Sequence, residues 1–411
     1  FNFYKTLVIT ISIIIFNLIV VTMEEVHYKP FHKTYRLATY AMIIAAIYPN
    51  PEKRKIPMVA LSAAPFAIFI MIAIYRFWMV GDVVNVIKQS TVGGPFLGGF
   101  LKVKLIKSYD TQMNALSLID EMNADYAIYS RLPAHHRAIV GEGIRTSRVY
   151  AERGYIAFIS FCVLNFPFLA SVMNAYIFLA KSESPKYFAH DVAIPFLEPD
   201  AVFISPYFEI MTVYTAYCAF LYLVNFMGYD AFFGLCINHA CLKMRLFCAA
   251  MEDAMKAPTR EQMRKRVSLV IQSQCSAFSY VDTIQEVFNV YIGIILFATM
   301  IQICTCMYHV TEGYELDPKY IVYTLGTIAY IYIPCHYSSK LKDVSSETAT
   351  LLYCCGWEAV PDLWPRKALL YMILRAQRPK EIIAFNMFVF DMERFVAILK
   401  SSYSLYTLLR S

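Results

Sequence analysis

Few residues in this chain have the types and spacing that catalysis needs. His135 and His136 are adjacent and could bind a metal, but no carboxylate pair stands near them at metal spacing. Solvated helix histidines in a basic connection account for the pair. Ser338, Ser339, Ser345 and Ser346 have no base nearby in the sequence. The stretch GGPFLGGF at 93–100 matches neither a phosphate loop nor a dinucleotide fingerprint, and close helix packing is the expectation for it. The 11 cysteines are scattered without zinc spacing, as reduced packing residues would be. The expectation is therefore no enzyme, no catalytic residues, no cofactor and no metal.

The chemistry that remains is that of a wettable surface. In KSSYSLYTLLRS, residues 400–411, a step of 100° per residue puts Lys400, Tyr403, Ser404, Thr407 and Ser411 on one face, with Arg410 at its edge. Leu405, Leu408 and Leu409 lie away from that face. A helix that is half apolar and half hydroxylated sits between hydrocarbon and water. Just upstream, Asp391, Glu393 and Arg394 interrupt the last apolar stretch. They mark either a carboxylate on an ion path or the cytoplasmic interface of a crossing that starts later.

The elements that must position this surface are membrane helices. The chain is 58% hydrophobic, 16% aromatic and only 17% charged, which excludes an ordinary soluble domain and a nucleic-acid binder. Apolar runs of spanning length occur at about 57–79, 90–108, 153–180, 204–230, 283–308, 318–337 and 382–411. The run at 37–48 is too short to cross and reads as an interfacial helix. Lys102, Lys104 and Lys107, at one end of the second run, read as snorkelling to an interface.

Lysine and arginine then orient the bundle. The connections at 24–56, 102–153, 231–277 and 338–384 hold 28 of them, and the alternate connections hold 4. Basic connections stay cytoplasmic, so the expected fold is an all-α membrane protein with seven transmembrane helices and inverted topology. Its amino terminus is cytoplasmic and its carboxyl terminus extracellular. The expected organisation is a cytoplasmic region at 23–56, six helices with cytoplasmic helical extensions at 57–337 forming a ligand-binding bundle, a cytoplasmic anchor at 338–381, and a pore-lining helix at 382–411. The apolar residues 1–22 are expected to be translated upstream sequence before a native start at Met23; the alternative is a further helix.

Three classes of membrane protein fit seven helices. A G-protein-coupled receptor has the opposite orientation, and its Asp-Arg-Tyr and Asn-Pro-x-x-Tyr motifs are absent. A transporter would show repeat symmetry or broken helices in matching halves. A channel needs a helix with one wettable face, repeated around an axis, and the last helix supplies it.

The last sixty residues resemble the insect odorant receptor family. The resemblance is carried by Tyr353, Trp357 and Pro361, by RKALLYMILRAQRP at 366–379, and by FDMERFVAILKSSYSLYTLL at 390–409, with PCHYSSKLKDVSSETATLLY at 334–353 upstream. It implies a ligand-tuned subunit of an odorant-gated, non-selective cation channel, assembled as a heterotetramer with the olfactory co-receptor. A gustatory-type channel of the same superfamily, or a G-protein-coupled receptor, is the alternative reading.

The same resemblance implies residue roles. Trp357, Pro361, Arg366, Arg375 and Gln377 fall in the anchor where subunits pack. The last helix lines the pore, with Tyr406 at the constriction and Leu409 and Arg410 one turn beyond, while the helical wheel selects Tyr403, Thr407 and Arg410. The ligand pocket lies in the outer half of the bundle, where Phe166, Met173, Tyr176, Met211, Tyr214, Tyr320 and Tyr323 are the candidates. The expected ligand is a small volatile organic molecule, and the expected location is the plasma membrane of olfactory sensory neurons.

Overall fold

The computed structural model describes residues 29–50, 58–181, 186–190, 199–312 and 318–410. The apolar segment 1–22, Met23 and Ser411 lie outside the described residues. Helix α1 is Arg36–Ile44, α2 is Met58–Val80, α3 is Val83–Ile106, α4 is Tyr109–Tyr129 and α5 is Ala134–Thr146. A π-helical segment, Ser147–Gly154, leads into α6, Tyr155–Lys181. Then come α7, Tyr207–Met255; α8, Arg260–Glu312; α9, Pro318–Tyr353; α10, Leu363–Ala376; and α11, Met392–Arg410.

Local chemistry explains the joints. Between α2 and α3 the chain reverses at Gly81, whose φ of +78° suits a residue without a Cβ, and Asp82 caps α3 by accepting from the Asn85 N–H at 3.1 Å. Pro65, Pro95, Pro167 and Pro334 stand inside helices, as membrane helices tolerate when neighbours cover the freed carbonyls. Among the described residues, the α5–α6 unit, α7 and α8 each carry a stretch long and apolar enough to cross a membrane, and Ala64–Val80 is a shorter apolar one.

α7 is the central column, and every residue from Ala231 to Met244 is buried. Around it the extensions of α4, α5, α8 and α9 form a second bundle. There Lys243 is held by Asp125 at 2.9 Å and by Ser276 at 2.9 Å, and the His239 Nε2 meets Asp125 at 2.9 Å. Apolar packing surrounds this network, so its charges are paired rather than solvated.

α1 packs into the protein: Ala38 and Met42 are fully buried, because Gly228 on α7 lets the Met42 backbone approach where a Cβ would stand 3.0 Å away. Glu152 holds its amino end by accepting from the N–H groups of Leu37 at 2.9 Å and Ala38 at 3.2 Å. The last apolar stretch is not helical from 382. Ile383–Ala384 and Phe388–Val389 form a small antiparallel hairpin, and α11 starts only at Met392, where the Asp391 Oδ1 accepts from the Arg394 N–H at 3.1 Å. Asp391 also meets Lys342 at 3.3 Å, so this acidic group is paired within the chain at the base of α11.

Candidate functional site

α3, α6, α7, α8 and α9 enclose a cavity of about 330 Å³. Two features of the sequence make the space. Gly94 and Gly98 put no side chain into it, and a Cβ added at Gly98 would meet nothing within 4 Å. Its walls are apolar, from Leu101 and Leu105 on α3 through Ile159 and Val163 on α6 to Ile295 and Ala298 on α8. The glycine-rich stretch therefore divides its work: Gly93 sits against Ile70, where an added Cβ would stand 3.0 Å from the side chain, while Gly98 leaves open space in the cavity.

Smaller spaces continue the cavity at both ends. One of about 70 Å³ shares Val163, Tyr222 and Tyr323 with it and reaches Phe66, Phe166 and His190. Another of about 20 Å³ shares Tyr291, Ile295 and Tyr330 and reaches Phe390, just before α11. The three spaces form a column from the turn-side aromatics to the base of the last helix.

A charged pair stands where the cavity meets the lower space. The Lys102 Nζ is 3.0 Å from the Asp230 Oδ2, with the two side chains 3% and 10% exposed. Asp230 also accepts from Tyr155 at 3.0 Å, from Tyr330 at 3.3 Å and from Tyr291 through a short bond. The Lys102 ammonium lies 3.6 Å above the centre of the Phe226 ring. Lys102 does not snorkel to an interface. Its stem turns inward because Asp230, one helix away, offers a carboxylate that a lipid-facing position lacks.

The seven expected ligand residues separate. Tyr323 lines both the main cavity and the upper space, and Phe166 lines the upper space with its ring edge-on to Tyr323 at 5.3 Å. Tyr320 is buried behind them, 5.8 Å from the Phe166 ring and 4.3 Å from that of His309. Tyr214 packs on Phe66 and Phe69, and Met211 is buried beside Phe188. Met173 and Tyr176 are exposed on α6, apart from both spaces. Lys102 reads as an interfacial lysine in the sequence, and Asp230, Tyr291 and Tyr330 are not singled out there; the cue available was a lysine and an aspartate within apolar runs.

On α11, Tyr403, Thr407 and Leu409 are exposed, whereas Tyr406 is buried within the protomer with its ring 6.1 Å from Tyr403. Arg410 pairs with Glu312 at the end of α8 at 2.9 Å. In the anchor, Arg366 donates to the carbonyls of Val360 at 2.6 Å and Glu358 at 3.1 Å, and its guanidinium lies over Trp357 at 5.9 Å. Arg375 lies over the Phe278 ring at 5.6 Å, Pro361 is exposed, and Gln377 caps the end of α10. Away from the cavity, Asp253 comes within 2.8 Å of His135 and 3.3 Å of His136, a grouping the 118-residue separation concealed.

The family model described as 7tm Odorant receptor matches residues 83–403, more than half of the chain. Odorant receptor 13a of Drosophila melanogaster is 25% identical over 217 residues, 48% of this chain and 52% of that protein. Odorant receptor 10 of Aedes albopictus is 24% identical over 204 residues, 49% of this chain and 53% of that protein. The alignments thus span about half the length of these relatives. The solved structure of the insect olfactory receptor OR5 from Machilis hrabei in complex with eugenol superposes with a TM-score of 0.70 at 12% identity, covering 92% of this chain and 97% of that one. The fold is that of a multi-pass, seven-helix membrane protein. The chain belongs to the 7tm Odorant receptor family.

Proposed function

We propose that this odorant receptor is a subunit of an odorant-gated cation channel, assembled as a heterotetramer with the olfactory co-receptor in the plasma membrane of olfactory sensory neurons. The observation that carries the ligand site is the apolar cavity enclosed by five helices, of a size that suits a small volatile molecule. The partition of lysine and arginine supports a cytoplasmic amino terminus and an extracellular end for α11. In that orientation Lys102 marks the inner end of the cavity.

α8 forms one wall of the cavity through Tyr291, Ile295 and Ala298. Its other side holds the hairpin before α11: the Gln285 side chain donates to the Ile383 carbonyl at 2.6 Å and accepts from its N–H at 2.8 Å. A ligand that moves α8 against α9 moves the root of α11. Gating is then a shift between packings, with α11 splayed and wetted in the open state. Residues 338–381 serve as the anchor for neighbouring subunits. The exposure of Leu363, Leu370, Tyr371 and Leu374 on α10, a cluster that lipid does not cover in this orientation, supports that role.

The test is co-expression with the co-receptor and a volatile panel, comparing the natural chain with Gly98→Leu. The added side chain enters the open cavity and should abolish odorant currents while currents evoked by a co-receptor agonist persist. Unchanged odorant responses in Gly98→Leu would sink the site assignment.

A further inference from the structure

The cavity's hydrogen-bonding inventory is unequal. Among its lining side chains, the hydroxyl donors are already used. Ser90 donates to the Val86 carbonyl at 2.8 Å, Thr299 to Ile295 at 2.7 Å, Thr305 to Gln302 at 3.0 Å and Thr327 to Tyr323 at 2.9 Å. The Gln302 amide donates to the Thr91 carbonyl at 2.7 Å and toward the Cys306 sulfur at 3.6 Å. Tyr323 donates to the Thr91 carbonyl at 3.4 Å, and Tyr222 is hydrogen-bonded to Tyr323. Tyr291 and Tyr330 donate to Asp230. Apart from the weak Cys162 thiol, one strong donor remains with capacity to spare. An ammonium has three N–H bonds, and Lys102 makes one hydrogen bond, to Asp230.

The acceptor side of the same pair is saturated. The Asp230 carboxylate has about four lone-pair sites, and it accepts from Lys102, Tyr155, Tyr291 and Tyr330. A ligand reaching this end of the cavity therefore meets a donor and finds no free carboxylate. A hydrocarbon leaves the spare N–H unused. An alcohol can accept from it, but at this end of the cavity its own O–H faces an already saturated carboxylate. The Gln302 amide oxygen stands beside Gly94, about two turns of α3 away, and an unmatched buried donor is costly. A carbonyl oxygen accepts and brings no donor.

We propose that the ligand class is a small apolar molecule bearing a terminal or near-terminal carbonyl — an aldehyde, ketone or ester — whose oxygen accepts from the Lys102 Nζ while its hydrocarbon part fills the space beside Gly94 and Gly98. This rests on the reading of the cavity as the odorant site. Lys102 is then a specificity-determining residue. The apolar walls supply most of the affinity, and the ammonium ranks ligands of equal size. A hydrogen bond to a charged group in such a site changes potency by about tenfold or more.

The experiment uses the full chain co-expressed with the co-receptor, and dose–response curves for ketones, aldehydes and esters of graded length beside length-matched alcohols and alkanes. The natural chain should rank carbonyls above alcohols above alkanes, with about a tenfold or larger gap in half-maximal concentration between the extremes. Lys102→Met alone leaves a buried carboxylate without its cation, so the decisive variant is Lys102→Met/Asp230→Asn, with surface labelling to confirm that it reaches the membrane. In that variant the carbonyl advantage should vanish while alkane potency stays the same. A Lys102→Arg variant, which keeps a donor, should retain the ranking. Equal potency across the three classes in the natural chain, a carbonyl preference that survives the double variant, or failure of the double variant to reach the surface while Lys102→Arg loses the ranking would each overturn the proposal. A chain deaf to all three classes, while the co-receptor agonist still opens channels, would overturn the odorant reading itself.

Discussion

The Phe385 ring lies directly on the backbone of α8 at Gly293, where a methyl group added to the glycine would overlap it. Phe385 and Asn386 turn the hairpin with φ of +52° and +55°, a conformation that costs energy for residues with a Cβ. Asn289 secures it by accepting from the Asn386 N–H at 2.9 Å through its side chain and from the Phe385 N–H at 3.4 Å through its carbonyl. About two turns of α8 thus line the cavity with Tyr291 and Ile295 and grip the root of α11 with Asn289 and Gly293.

Gly293→Ala should push Phe385 out of this seat, at a cost of about 1–3 kcal/mol for overpacking. The expected result is weakened odorant-evoked current at normal surface expression, recovered by Gly293→Ala/Phe385→Ala. A double-mutant cycle on half-maximal concentration measures the coupling. Additive effects would show that the contact does not transmit the signal.

Tyr406→Ala should raise resting current in the assembled channel. The ring is buried between α11 and the rest of its own protomer, so removing it loosens the helix proposed to close the pore and admits water at its narrowest part. Current recorded without odorant, normalised to surface protein, checks this. A closed, quiet channel would separate Tyr406 from the gate.

The anchor should be sensitive to acid. Arg264 donates to both Asp362 oxygens, at 2.7 and 3.0 Å, and this pairing holds the Asp362 carboxyl below its ordinary value of 3.8. A depressed carboxyl pKa stabilises the folded state above the unfolded value, and that contribution is lost as pH falls through the folded one. Acidification below about pH 4 should therefore loosen α10, read as a red shift of Trp357 and Trp364 fluorescence. Asp362→Asn should show the looser anchor at neutral pH and lack this group's share of the acid step.

Topology is tested by labelling intact cells. An epitope placed after α11 should be reached without permeabilisation, and a cysteine introduced at exposed Lys256, between α7 and α8, should not. The reverse pattern would contradict the orientation drawn from the basic connections.

The sequence by itself determined the membrane class, the helical content and the bias of basic residues, because apolar length and charge placement are local properties that survive in one dimension. It also carried the family likeness in its last sixty residues. Which aromatic residues meet a ligand was not legible. Lipid is as apolar as a protein core, so periodicity cannot tell a residue on the outside of the bundle, such as exposed Tyr176, from one facing a cavity, such as Tyr323. Lys102 looked like an interfacial lysine until α7 brought Asp230, 128 residues away, to within 3.0 Å. The hairpin at 383–389 read as the start of a helix because its residues are apolar; contacts with Gln285, Asn289 and Gly293 pin it in another form. Tertiary structure decided these points, since each depends on a partner far along the chain whose polar atoms must be satisfied where no water can do it.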